Sequence, residues 1–286
     1  MSAGEQSIAH TPEVARGAGE VILVGGGPGE PGLITVAGLA ALRRADVVVV
    51  DRLAPRILLD ELGPEVEVID VGKTPGRHPV PQHEINRILV QQAIAGRTVV
   101  RLKGGDPYVL GRGGEESAAC HAAGVHVTAV PGVTSAVAVP GAAGIPLTLR
   151  GVASAFTVVS GHDDLAELPG GAEHTVVLLM GVGGLAGHAA ALAAGVRGPG
   201  CPVAVIEDGF GPRQRVTVGT LGTIAGIAAT LGIRSPAVVV VGAVVEHRAA
   251  VFEAADPPRA SERPADRPSD RPSTHPGRPS DREDTP

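Results

Sequence analysis

The chain reads as an alternation. Short runs of β-branched residues (VILV at 21–24, VVVV at 47–50, VEVI at 66–69, VVRL at 99–102, VHVTAV at 125–130) are separated by stretches with helical spacing, LITVAGLAALRRA, QHEINRILVQQAIAG and EESAACHAAG. Apolar runs without a polar residue at every second position are buried on both faces, as in parallel or mixed sheets covered by helices. The alternation breaks in a Pro- and Gly-rich passage, 131–151, and resumes with FTVVS (156–160), TVVLLM (175–180), PVAVI (202–206), RVTV (215–218) and AVVVVG (237–242). That is more strand than one ordinary sheet holds, and the passage is the natural division. The pattern predicts two α/β domains, over 20–132 and 133–250. Residues 1–19 are expected to be flexible. From Glu253 onward there is no Val, Ile, Leu or aromatic residue, so 251–286 is expected to be a disordered Pro/Arg/Asp-rich tail.

Composition removes several classes of function. The 286 residues include no Trp, one Tyr and three Phe, with a net charge of −6. Neither stacking platforms nor a basic surface for nucleic acid is expected. No apolar run approaches the ~20 residues that span a bilayer, and 1–19 shows no secretory pattern; a cytoplasmic protein without a membrane partner is expected. Cys120 and Cys201 are the only cysteines, which excludes a disulfide framework or a four-cysteine metal site. His78 and His83, like His121 and His126, are five apart rather than i, i+4, so no metal is expected. A Gly-x-Ser-x-Gly elbow and a Walker loop are both missing.

Two glycine clusters remain. VGGGPGEPG follows the first predicted strand and opens a predicted helix, and Gly27 to Gly32 satisfies G-x-G-x-x-G with Asp51 at the next strand end. That is a dinucleotide-binding pattern, yet Pro28 and Pro31 remove two amide donors and Glu30 adds a negative charge where a pyrophosphate would rest. A ligand without phosphate fits better. The second cluster, RLKGGDPYVLGRGGEE at 101–116, follows another strand, and the two turns would wall one crevice. Only two lysines, Lys73 and Lys103, occur among 24 basic residues; a compact ammonium with an adjustable pKa suits proton donation. The proline-punctuated segment at roughly 72–82 is long enough to cover a site.

Taken together, VGGGPGEPGLITVAGLAALRRADVVVVDRL, VGKTPGRHPVPQHEIN, VVRLKGGDPYVLGRGGEE, VPGVTSAVAVPGAAGIPLTLRG, SGH, LLMGV, PVAVIEDG and PAVVVVG resemble the tetrapyrrole (class III) methylases, which use S-adenosylmethionine. The GK…QxEIN segment, LKGGDPYVLGRGGEE and GIPLTLRG resemble the uroporphyrinogen-III C-methyltransferase branch. The resemblance implies two α/β domains with mixed, mostly parallel sheets and an active-site cleft between them. It implies donor contacts at Pro28, Gly104, Gly105, Asp106, Val109, Thr134, Ser135, Met180, Gly209 and Ala237. Asp51 resembles the proton acceptor of that branch and Lys73 its proton donor. A homodimer and the substrate uroporphyrinogen III, methylated at C2 and C7, are likewise implied. One departure stands out: Phe210-Gly211 replaces the Thr-rich string usual after EDG.

Asp106 is expected to hold polar parts of the donor and to stay off its sulfur. For a substrate rich in carboxylates, Arg52, Arg77, Arg112 and Arg150 are the candidate clamps, because a guanidinium fork binds carboxylate bidentately. The rivals are a later corrin-pathway methylase or diphthine synthase of the same fold, a non-catalytic ligand-binding relative, and a Rossmann dehydrogenase.

Overall fold

Every β-branched run becomes a strand. The structure, a computed structural model, describes residues 19–72, 80–166 and 168–248; the expectations for 1–18 and for the tail lie outside them. The first sheet contains β1 (Glu20–Gly25), β2 (Val47–Val50), β3 (Glu67–Asp70), β4 (Thr98–Lys103) and β5 (His126–Val130), and the helices of this half are α1 (Val36–Arg43), α2 (Gln82–Ile94) and α3 (Gly113–Ala122). Its order is β3-β2-β4-β1-β5, and every pairing is parallel.

Alternate residues of each central strand feed opposite cores, which is why the runs are apolar throughout. Val21, Leu23, Val47, Val49 and Val99 pack with Leu89 and Ala93 of α2 and Cys120 of α3. Ile22, Val24, Val48, Val50, Val100 and Leu102 pack with Ala41 and Leu42 of α1.

The second sheet comprises β6 (Ala155–Ser160), β7 (His174–Leu179), β8 (Pro202–Glu207), β9 (Arg215–Thr220) and β10 (Ala237–Val241), in the order β6-β7-β10-β8-β9. Here β6 and β7 run parallel, while β7–β10, β10–β8 and β8–β9 are antiparallel. Helices α5 (Leu185–Ala194) and α6 (Ile224–Leu231) cover one face through Leu185, Leu192 and Ile224.

The other face is covered by a helix that the sequence pattern does not announce. The Pro- and Gly-rich passage contains α4 (Ser135–Ala142), which packs Ala136 and Val139 against Val177, Ile206 and Val238. Thr134 caps it, its hydroxyl accepting from the Ala136 amide at 3.3 Å. Pro140 lies in the last turn of this eight-residue helix, where its missing N–H costs a single intrahelical bond. Among the described residues no helix is long and apolar enough to cross a membrane.

Candidate active site

Parallel strands present ligands at their carboxyl ends, and three such ends meet. Gly27 N donates to Gly105 O at 3.2 Å, and Gly105 N returns a bond to Gly27 O at 2.7 Å. This reciprocal bridge locks the turn after β1 to the turn after β4. Gly27 has φ +80° and Gly105 φ +65°, left-handed conformations that glycine adopts without steric cost. Beneath it, a Cβ on Gly25 would stand 2.5 Å from Gly132 Cα, so β1 and the segment after β5 touch backbone to backbone. Asp106 ties the same parts together. Its Oδ1 accepts from Tyr108 N at 2.8 Å and its Oδ2 from Gly132 N at 3.1 Å.

The second half supplies the facing wall. Ser135 N lies 3.6 Å and Thr134 Cα 3.7 Å from where a Gly105 Cβ would stand, which sets the start of α4 against the GGDP turn. Across the site, Gly209 O is 3.9 Å from the Cβ position of Gly29. The Pro28–Gly29 turn therefore reaches the loop after β8. Ala237 pairs with Glu207 beside that loop, and Asp208 N donates to Pro236 O at 3.0 Å. The Leu179–Val238 pair puts Met180 at the same end of β7, half exposed. Val109 belongs to the GGDP turn, its amide donating to Asp106 O at 3.4 Å.

Backbone strain concentrates in these loops. The non-glycine residues with positive φ among those described are Leu110 (55°), Arg112 (60°), Met180 (59°), Asp208 (48°) and Phe210 (65°). All five follow β4, β7 or β8, and such outliers cluster where a ligand is held. Phe210-Gly211 does not open the loop: Phe210 N donates to Gln214 Oε1 at 2.8 Å, and Gly211 N to Asp208 O at 2.7 Å.

The G-x-G-x-x-G string differs from a dinucleotide loop in position as well as composition. It runs into a 3-10 turn, Pro31–Leu33, and α1 starts only after its cap Thr35. The Gly32 amide is already occupied by Glu30 Oε1 at 3.1 Å. No free helix N-terminus is offered to a phosphate there.

Asp51 stands at the end of β2. Its Oδ1 accepts from the Leu53 and Ala54 amides at 3.1 and 3.0 Å, and its Oδ2 from Arg101 at 3.1 Å. Lys103 is buried and donates to Glu116 Oε1 at 3.1 Å; burial, then the neighbouring Arg101, lower its pKa from the ordinary lysine value. Lys73 and Arg77 lie outside the described residues. Arg52 is exposed, its amide 2.7 Å from where a Gly72 Cβ would stand. Arg150 is exposed in the turn between Leu149 and Ala153. The fork of Arg112 is held by Glu115 at 2.8 and 2.7 Å, which raises the Arg112 pKa. The structure thus draws the donor candidates together but leaves Arg52, Arg112 and Arg150 on separate turns.

Residues 20–225 match the family of Tetrapyrrole (Corrin/Porphyrin) Methylases. The chain belongs to that family. An S-adenosyl-L-methionine-dependent uroporphyrinogen III methyltransferase of Methanosarcina barkeri is 46% identical over 235 residues, 79% of this chain and 92% of that one. A uroporphyrinogen-III C-methyltransferase of Methanocaldococcus jannaschii is 47% identical over 237 residues, 79% of this chain and 97% of that one. The uroporphyrin-III C-methyl transferase of Thermus thermophilus, solved with S-adenyl homocysteine, superposes with a TM-score of 0.69 at 39% identity, covering 80% of this chain and 94% of that one.

Backbone rather than side chains faces the gap beside Gly29 and Gly105, and the amide that a phosphate would need is taken. Two residues of the neighbourhood were invisible to motif reasoning. Leu110 shows itself only through its positive φ, which carries little residue-type signal outside Gly, Asn, Asp and His. Glu116 directly follows the exposed Glu115, yet it is fully buried.

Proposed function

We propose that this methylase transfers methyl groups from S-adenosylmethionine to C2 and C7 of uroporphyrinogen III, giving precorrin-2 by way of precorrin-1, for cobalamin or sirohaem synthesis. The observation that carries the proposal is the Gly27–Gly105 bridge, where Gly105 presents bare backbone to the start of α4 while the neighbouring Gly29 faces Gly209. It occurs in a chain whose relatives of similar length are named for this substrate.

When bound, S-adenosylmethionine supplies a methyl group already activated by sulfonium charge. The protein's part is geometry. Pro28, Gly104, Gly105, Val109, Thr134, Ser135, Met180, Gly209 and Ala237 hold and orient the donor, and fixed orientation lowers such a barrier by about 7–11 kcal/mol. A carboxylate pressed on sulfur would favour the ground state, because the charge vanishes during transfer. Asp106 turns both oxygens to backbone amides instead. It acts on the donor by fixing the turn.

Asp51 accepts the proton released as the ring rearranges, and Lys73 donates one. The partners of Asp51 among the described residues are all donors, so its remaining lone pairs are what it offers to substrate. Arg52, Arg77 and Arg150 meet substrate carboxylates, and Arg112 does so by exchanging Glu115. A homodimer and a cytoplasmic location belong to the same proposal. The dimer rests on the family resemblance, and the location on two buried free cysteines, Cys120 and Cys201.

Anaerobic incubation with uroporphyrinogen III and S-adenosylmethionine, read by mass spectrometry, is expected to add two methyl masses. A product carrying one, or none, points to a later corrin methylase or to a ligand-binding relative.

A further inference from the structure

Three charged side chains sit within the apolar face that α2 and α3 cover. Arg101 is 2% exposed, Lys103 4% and Glu116 0%, and Arg101 and Lys103 alternate with Val100 and Leu102 along β4. Burying charge is costly, and packed apolar residues of similar volume often serve stability as well or better. A different kind of explanation is needed, and the hydrogen bonds supply it.

The Arg101 guanidinium is held on every side. Its Nη1 donates to Leu102 O at 3.0 Å and Val49 O at 3.3 Å, its Nε to Glu116 Oε1 at 3.1 Å, and its Nη2 to Asp51 Oδ2 at 3.1 Å. Glu116 Oε1 also receives Lys103 Nζ at 3.1 Å and Gln82 Nε2 at 3.2 Å. Three donors crowd one oxygen, while Oε2 is buried with no partner among the described residues. Glu116 is thus the fixed point from which Arg101 reaches out to the one carboxylate of the group that solvent can touch, Asp51, whose side chain is 29% exposed.

We infer that Glu116 is a positioning residue for Asp51, acting through the guanidinium of Arg101. The inference rests on Asp51 being the proton acceptor of the proposed reaction. Glu116 sets the height and tilt of the fork, the fork holds Oδ2, and the Leu53 and Ala54 amides hold Oδ1, so the carboxylate has one orientation. Among the described residues, the ion-paired groups on the elements packed around Asp51 are Arg101 and Lys103 on β4, Glu116 on α3, and the Arg56–Asp70 pair on the β3 side. Without Glu116, the two cations of β4 would face Asp51 without their own counter-charge.

The test is a double-mutant cycle on the full chain between Glu116→Gln and Asp51→Asn, with turnover measured against pH. Glu116→Gln is expected to lower kcat by about tenfold or more while KM and S-adenosylhomocysteine affinity stay within about twofold. In the Asp51→Asn background it is expected to cost nothing further, because the two residues act as a unit. The acid limb of kcat should move to lower pH in Glu116→Gln and to higher pH in Arg101→Gln; opposite shifts from opposite charge removals are not produced by loosened packing. If Glu116→Gln does not fold, Arg101→Lys, which keeps the charge but cannot span both carboxylates, takes its place in the cycle with the same expected loss. Unchanged kcat in the folded variant, additive losses, or an unmoved acid limb would overturn the inference. Full turnover in Asp51→Asn removes the proton-acceptor role itself and the inference with it, whereas the methyl count tests the reaction separately.

Discussion

Single residues decide the chemistry through what their neighbours leave free. Gly105 is the sharpest case. Its φ of +65° and its closeness to Ser135 N mean that a methyl group there is strained and also stands in the gap between the two walls. Gly105→Ala is expected to weaken S-adenosylhomocysteine binding by about tenfold or more, equivalent to roughly 1.4 kcal/mol. Isothermal titration reads it, and unchanged affinity would remove the donor from this turn. Asp51→Asn should lower kcat and leave that same affinity alone. Both positions were singled out in the sequence, Gly105 because two glycine-rich turns follow successive strands, Asp51 because a carboxylate ends an otherwise apolar run. Arg101 and Glu116 were not. Their partnership joins a strand to a helix 15 residues on, and nothing in local spacing marks a buried ion pair. Asp106, expected to hold polar parts of the donor, also closes the turn on Gly132, a backbone task that its place in the motif does not reveal.

At the scale of elements, the strands were easy and α4 was hard. Runs rich in β-branched residues favour strands, and here all ten form, although the edge strands β3, β5 and β9 stay partly exposed. Residues 135–142 carry Pro140 and Gly141, both poor helix formers, and the segment is helical because Thr134 caps it and the second sheet buries its Ala and Val face. Thr134→Ala removes the cap and should cost about 1 kcal/mol, seen as a lower urea midpoint, and should weaken donor binding too because the same residue borders Gly105. A midpoint within error of the parent would mean that packing alone holds α4. Helix α3 yields a prediction in pH. Cys120 is buried against the first sheet, and that burial, with Glu116 nearby, pushes its thiol up to about 11 from 9.0. A pKa raised in the fold favours the protonated folded form. The stabilisation is therefore complete below the unfolded value near 9 and disappears as pH rises through 11. Stability should fall by on the order of 2 kcal/mol across that window. Cys120→Ala should be less stable at neutral pH yet lack this part of the decline; parallel pH profiles for the two proteins would refute the assignment.

For the molecule as a whole, the question is whether the two sheets answer to one ligand. The walls of the proposed site come from both: the turns after β1 and β4 belong to the parallel sheet, the start of α4 and the loop after β8 to the mixed one. A ligand that binds only the folded form stabilises it by about 2.7 kcal/mol at a hundred times its Kd. For a folded part of this size, each kcal/mol raises Tm by about 2–4 °C. S-adenosylhomocysteine should therefore raise Tm by roughly 5–10 °C, and NAD should leave it unchanged, since the Gly32 amide is occupied and α1 begins too late to receive a pyrophosphate. Magnitude alone does not say where the ligand sits; distribution does. Hydrogen exchange with S-adenosylhomocysteine bound is expected to slow at Gly27 and Gly105 on one side and at Ser135 and Gly209 on the other, by similar factors. Protection confined to the parallel sheet would place the ligand on one wall, and the bridge between Gly27 and Gly105 would then be a fold device with no part in holding the donor.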